Sequence, residues 1–403
     1  MTGHDDQLGR GAALVMAAKA LSVAFAADAA KRDAERILPV AEMTELRSAG
    51  LQVARVPMAY GGPDLSFREL AELMIWLGAG DPNIAQAVQP HFVLLDMLRL
   101  FGTEAQKQRY FGDVVGGHII TNAYAERGTG IVGQITTALK PDGDGYRLNG
   151  TKFYCTGSLV AEQFYVLIGT EDDGRTIAIV PGDREGLTVH DDWDAMGQRT
   201  TASGTVEFDN VAVAADEVIA AETAWSERSH IGALAQMLHA AIDAGIAKAA
   251  LADAIDYAQN RARPVLESGV TRASDDPYVM SAIGEMRVAA SVAEVMVLNA
   301  GEALDRAVAA QTAGDSTDVV TKLLEEASIA VAEAKIASTQ SSLAVSETMF
   351  TVTGASASLS TQNLDRHWRN ARTHTIHDPV SYKYKIVGDY LLNGRPPPLG
   401  TRY

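Results

Sequence analysis

Apolar residues recur at spacings of three and four along the first quarter of the chain, the period of a helix buried on one face. GAALVMAAKALSVAFAADAAKRDAERILPV, from Gly11, opens this region, and AEMTELRSAGLQVARVP reads as a helix closed by Gly50. YGGPDLSFRELAELMIWLGAGDP predicts a turn followed by a helix capped by Ser66, and HFVLLDMLRLFG a further helix beginning near Pro90. Around residue 119 the pattern changes. HIITNAYAE, ALKPDGDGYRLNGTKFYCTGS, EQFYVLIGT, RTIAIVP, LTVHDDW and GTVEFDNVAV are short, β-branched and aromatic, and Gly, Asp and Asn separate them. That is the pattern of an antiparallel all-β unit, ending near Val218, with hairpin signals at 142–145 and 149–150. Helical spacing then returns in long Ala-rich pieces over 229–262, 277–313 and 316–353, with a shorter one near 365–377. These four predict an antiparallel bundle. The expected class is α+β in three units: a helical domain over 1–118, a β domain over 119–220 and a helical bundle over 221–403.

Composition narrows the partners. Hydrophobic residues make up 47% of 403 positions, which is a globular composition with a large core. A formal charge of −17 argues against nucleic acid or an anionic membrane as partner. Cys155 is the single cysteine, so intramolecular disulfides and multi-cysteine metal clusters are excluded. Lys19 interrupts the first apolar run, and Asp5 and Asp6 replace the positive leader of a signal peptide. The run is read as the first helix of a cytoplasmic protein with no membrane span. The three long helices exceed what one small domain needs, so part of their surface is expected on other copies, in a homotetramer.

The richest chemistry lies in DRHWRNARTHTIHDP, residues 365–379, with three arginines and three histidines in an acidic chain. If it is helical, Asn370, His374 and His377 share one face, and Pro379 stops the helix. Such a row donates hydrogen bonds to an anion or a bound ring, or it is a solvated stripe. A metal reading of His374 and His377 lacks an H-E-x-x-H pattern and cysteine ligands, and no metal is expected. Cys155 reads as a small buried strand residue.

Helical domain, β domain and helical bundle in that order resemble the acyl-CoA dehydrogenase superfamily of flavoproteins. YGG at 60–62 is similar to the family's Y-G-G turn, and NAYAERGTG (122–130) stands where the family has its A-x-T-E-P-x-G-S-D flavin loop. NGTKFYCTG (149–157) resembles N-G-x-K-x-W-I-T-N, and MGQRTTASGTVEFDNVAV (196–213) resembles G-M-R-x-S-x-T-x-x-V-x-F-D-x-V-x-V-P. The departures carry as much as the matches. The segment R-D-A-K-x-x-x-I-Y-E-G-T, which supplies the catalytic glutamate of many dehydrogenases, aligns on Arg369 to Arg372 and then Ile376 to Pro379, with Asp378 at the glutamate position. Aspartate is one methylene shorter, about 1.3–1.5 Å of reach, and general-base geometry tolerates that poorly. The other base position used in the family falls at Ala235 and Gln236. Where FAD-binding members have Y-A-x-x-R-x-Q-F-G, this chain has YAQNRARP (257–264), and GASAS (354–358) replaces the G-G-x-G-Y loop, with Ser356 inside it. Both changes favour FMN over FAD.

RARP, SGVTRASDDPYV, LDRHWRNARTHTIHDPV and His91 resemble a branch of FMN-dependent monooxygenases of organosulfur compounds. That resemblance implies reduced FMN supplied by a separate NAD(P)H-dependent flavin reductase, O2, and oxygen transfer from a C4a-hydroperoxyflavin to a small apolar heteroatom substrate. It implies His91 and His377 as active-site histidines, with Asn122 and Thr156 beside the isoalloxazine. Arg261, Arg263 and Arg272 are expected toward the phosphate, and Trp193, Asn370 and His374 near the cofactor. Histidine suits the donor role because its ordinary pKa, about 6.5, lets it give and recover a proton near neutrality. The alternative is an FAD-dependent acyl-CoA dehydrogenase with Asp378 as base; a third reading is a non-catalytic scaffold.

Overall fold

A computed structural model describes residues 2–400 apart from 132 and 170–173. Five helices come first: α1 (Thr2–Glu35), α2 (Val40–Ser48), α3 (Phe67–Gly80), α4 (Pro82–Phe101) and α5 (Glu104–Val115). Local chemistry sets their ends. Gly50 follows α2 in the left-handed region, at φ 74°. Ser66 starts α3 in a reciprocal capping box with Glu69, which satisfies two orphan donors at once. α4 begins well before the expected start near Pro90, because Asp81 caps it by accepting from Asn83 N–H and Pro82 occupies the first turn. Pro90 therefore lies inside the helix. Residues 9–35 of α1 are long and apolar enough to cross a membrane by length and composition alone, and Ala18 and Phe25 of that helix are buried in the core.

The middle of the chain forms β1 (Ile120–Ala123), β2 (Ala138–Asp142), β3 (Gly145–Lys152), β4 (Gln163–Gly169), β5 (Arg175–Pro181), β6 (Leu187–Val189), β7 (Val206–Ala214) and β8 (Val218–Ile219). They make two four-stranded sheets, ordered β1-β4-β5-β8 and β2-β3-β7-β6. Leu148, Phe164, Val166, Val206 and Phe208 fill the core of this unit. Two expectations are corrected here. β1 pairs with β4 in parallel, since β1 arrives from the helical domain rather than from a hairpin. Residues 149–150 are no hairpin either: the register of β3 against β7 shifts between Leu148 and Gly150. A Cβ at Gly150 would sit 2.4 Å from Thr137 Oγ1, so glycine there admits a neighbouring strand rather than a turn. Residues 142–145 do join β2 to β3.

The remainder is helical: α6 (Ile231–Asn260), α7 (Pro277–Ala313), α8 (Thr317–Thr353), α9 (Arg366–Thr375) and α10 (Val380–Asn393). One hydrophobic core runs from α1, α3 and α4 through α6 into α7 and α8. α3 and α6 meet backbone to backbone, because a Cβ at Gly245 would lie 2.7 Å from the Gly78 carbonyl carbon. That close approach locks α6 in rotation and decides which of its polar residues face α4 and α9. On α7 the row Val288, Val292 and Val295 stays exposed.

Candidate active site

The residues of 365–379 divide in two. α9 ends at Thr375, so Asn370 and His374 are helical and buried, whereas His377 lies in the bend before α10 with a half-exposed side chain. The expected three-residue helical face is corrected accordingly: the chain leaves helical geometry at Ile376. Asn370 holds the neighbouring loop instead. Its Oδ1 accepts from Gln198 N–H at 2.6 Å, Arg369 Nη1 donates to the Met196 carbonyl at 2.9 Å, and a Cβ on Gly197 would be 2.0 Å from the Arg369 carbonyl oxygen. The 196–203 loop is thus clamped onto α9. Gln198 pays for this with a left-handed backbone at φ 52°.

From that clamp the contacts run into the β unit. The Gln198 carbonyl accepts from Trp193 Nε1 at 2.8 Å and from Thr201 Oγ1 at 3.0 Å. Thr201, Ser203 and Thr156 then form a hydroxyl chain, at 2.7 and 2.9 Å. Trp193 packs edge-on to Tyr154 at 5.9 Å and tilted against Phe153 at 6.2 Å. Tyr154 is 53% exposed and has φ 59°, an unusual backbone for a bulky residue. Arg127 lies 4.1 Å over Phe153. Asn122, on β1, has its Oδ1 buried without a hydrogen-bond partner among the described residues. The same holds for both amide atoms of Gln198, for Thr200 Oγ1 and for Gln236 Oε1. An unpaired buried polar group costs about 1–3 kcal/mol, and native interiors seldom leave one. An aromatic platform beside unpaired amides and hydroxyls fits a planar ring carrying both donors and acceptors, as a flavin does.

The third wall is α6. Gln236, His239 and Asp243 lie at i, i+3 and i+7, one polar file in the otherwise apolar first half of the helix. Gln236 Nε2 donates to Asp378 Oδ2 at 2.6 Å, and His377 Nδ1 lies 3.1 Å from the same oxygen. Burial alone would raise the Asp378 pKa, but the hydrogen bonds from His377 and Gln236 hold it well below the carboxylate range. His239 stacks on His377 with ring centres 4.3 Å apart, and its Nδ1 is 3.1 Å from His374 Nε2. His374 Nδ1 sits 2.5 Å from Asp243 Oδ1, while Lys335 Nζ of α8 donates to Asp243 Oδ2 at 2.8 Å. Burial lowers the Lys383 ammonium to about 8. Among the described residues no group of three His, Cys, Asp or Glu side chains is arranged to hold a metal ion.

His91 is not part of this wall, which corrects its expected place. The ring is fully buried; Nδ1 accepts from Ile120 N–H at 3.0 Å, which leaves the Nε2 proton to donate to the Gln52 carbonyl at 2.8 Å. Both nitrogens are used, and burial lowers its pKa to about 4. On α4 it is Gln86 and Gln89 that reach α9 and α6, with Gln86 Oε1 3.0 Å from His374 Nε2. Position 91 is turned about 140° from 86 at 100° per residue. Arg261, Arg263 and Arg272 lie exposed on the connection between α6 and α7. Arg261 pairs with Asp256 at 3.4 Å; Arg263 and Arg272 have no ion-pair partner among the described residues. Sequence reasoning missed Tyr154, Gln198, His239 and Asp243. The α6 file had a readable signal, three polar residues at helical spacing among alanines; the other two had none.

Sequence models of the acyl-CoA dehydrogenase family match in series: the N-terminal domain over residues 13–118, the middle domain over 121–211 and the C-terminal domain over 237–382. Dibenzothiophene monooxygenase of Rhodococcus qingshengii is 33% identical over 397 residues, covering 95% of this chain and 94% of the relative. A probable FMNH2-dependent monooxygenase, SfnC of Pseudomonas putida, is 30% identical over 393 residues, covering 94% of this chain and 95% of the relative. The crystal structure of TdsC from Paenibacillus sp. A11-2 with FMN and indole is similar at a TM-score of 0.89 and 29% identity, over 97% of this chain and 99% of that one.

Proposed function

This chain belongs to the acyl-CoA dehydrogenase family, and on that premise we propose that it is a flavin-dependent monooxygenase using reduced FMN and O2 on a small organosulfur substrate. The observation that carries this reading is the commitment of Asp378. The family's base position holds a shortened carboxylate, tied to Gln236 and His377 and held ionised, with an accessible histidine next to it. A carboxylate whose pKa is far below neutrality is a weak proton acceptor, whereas a histidine gives and takes protons near neutrality.

When bound, reduced FMN supplies the electrons that activate O2 for transfer of one oxygen atom to sulfur. Asn122, Thr156 and Gln198 offer the ring edge neutral donors and acceptors, Tyr154 and Trp193 offer it aromatic surface, and Asn370 fixes the loop that carries Gln198. Arg263 and Arg272 are cations suited to a single terminal phosphate. His377 donates a hydrogen bond and a proton on the substrate side, with Asp378 orienting its Nδ1–H. Gln89 and Gln236 bound the same side, and the buried apolar neighbours on α4 and α6 keep water out. A separate NAD(P)H-dependent reductase supplies the FMN in its reduced form. The exposed valine row on α7 supports association with further copies, as the expected homotetramer requires.

The test is anaerobic mixing of the protein with reduced FMN, followed by O2. A transient absorbance distinct from reduced and oxidised flavin, and an oxygenated product from dibenzothiophene, are expected. Immediate return to oxidised flavin with hydrogen peroxide in full yield would overturn the proposal.

A further inference from the structure

A carboxylate and two histidines inside the bundle constrain one another's protons. Asp243 is fully buried and paired with Lys335 at 2.8 Å, so it is ionised and can only accept. His374 Nδ1, at 2.5 Å, must therefore carry a proton. The remaining His374 nitrogen, Nε2, shares a 3.1 Å contact with His239 Nδ1, and two ring nitrogens at that distance hold one proton between them. With both rings neutral, that proton belongs to His239, and His239 Nε2 is a bare acceptor. If His239 Nε2 takes up a proton, the Nδ1 proton passes to His374 Nε2. His239 is neutral again in its other tautomer, and the positive charge rests on His374.

Burial lowers the pKa of both rings, which favours the first state, and the contact with Gln86 serves the second directly and the first once that amide turns its NH2 toward His374 Nε2. Charged His374 donates to Asp243 on one side and finds the Gln86 amide oxygen 3.0 Å from Nε2 on the other. The charged and titratable groups facing the pair are Asp243 of α6, Lys335 of α8, His377 and Asp378 of the bend, and Lys383 of α10. Lys335 already offsets Asp243, so a proton stored on His374 leaves the cluster with one net positive charge, held by the direct 2.5 Å bond to Asp243. The free nitrogen of the pair belongs to His239, whose ring stacks on His377. We propose that Asp243, His374 and His239 form a buried proton relay, which takes up a proton at His239 Nε2 beside His377 and stores it on His374. Asp243 acts as a positioning residue that fixes the direction of transfer. The relay's use in oxygenation rests on the function proposed above; its existence does not.

The test therefore needs neither flavin nor substrate. The full-length protein is labelled with 15N-histidine, the rings are assigned with His239→Gln and His374→Gln, and the shifts are followed from neutral pH down to loss of the fold. At neutral pH His374 should carry its proton on Nδ1 and His239 on Nδ1. On acidification His239 should switch to the Nε2–H tautomer at the same pH at which His374 becomes charged. A His239 that charges by itself, switches at a different pH, or never changes while the fold persists would overturn the relay. Asp243→Asn should shift the coupled step to lower pH; an unchanged step would also overturn it. Absence of flavin activity with the coupled switch intact would overturn the monooxygenase reading alone.

Discussion

Gln236 of α6 donates a 2.6 Å hydrogen bond to Asp378, a residue 142 positions later at the family's base site. The bond occupies an oxygen that a dehydrogenase would keep free for the α-proton of its substrate. With His377 on the same oxygen, the carboxylate is a hydrogen-bond hub that orients a histidine.

The first prediction follows from that bond. Protein loaded with FAD or FMN should show no flavin bleaching when mixed anaerobically with short-chain acyl-CoA. Bleaching at a rate of turnover would restore Asp378 as a base.

His377→Phe should abolish oxygenated product, a loss of more than about a hundredfold if the ring acts as a general acid, while the melting temperature stays near wild type. The side chain is 51% exposed, so little packing is lost. Gas chromatography of product and a thermal melt separate the two effects.

His91 carries a pH prediction of definite sign. Folded His91 is held neutral down to about pH 4 by burial, whereas an unfolded histidine titrates near 6.5. Between those values the unfolded chain binds more protons, so stability falls as pH falls, on the order of 3 kcal/mol from this ring. His91→Gln preserves an acceptor for Ile120 N–H and a donor for the Gln52 carbonyl. It should flatten the decline between pH 6.5 and 4 in urea melts, and it should retain product formation.

Gly197→Ala would place a methyl 2.0 Å from the Arg369 carbonyl oxygen, where backbone faces backbone. The loop must then lift from α9, with loss of the Gln198–Asn370 bond and a cost of about 1–3 kcal/mol. Weaker FMN binding, measured by fluorescence quenching, should accompany the lower melting temperature. Ala at Gly112, which has open space around its Cβ position, is the matched control.

Much of the architecture was readable from spacing. Helical periodicity placed α6, α7 and α8 within a few residues, and the Ser66 cap and Gly50 stop were local signals with local causes. The motif at 149–157 likewise covers the end of β3 and the turn that carries Thr156. Pro90 misled because proline commonly marks a first helical turn, whereas Asp81 starts α4 upstream and Pro90 sits in its interior, where it removes one backbone donor.

The sequence by itself determined the order of elements, the family and the shortened carboxylate at 378, since each depends on residue identity and near-neighbour spacing. Only the tertiary structure decided which histidines face one another. His91 and His377 look equivalent as letters, yet one is sealed between Ile120 and Gln52 and the other is open beside His239. That difference depends on the rotation of α4 and on the Gly78–Gly245 contact that sets α6, contacts between residues far apart in the chain. No local pattern encodes such an angle; packing does.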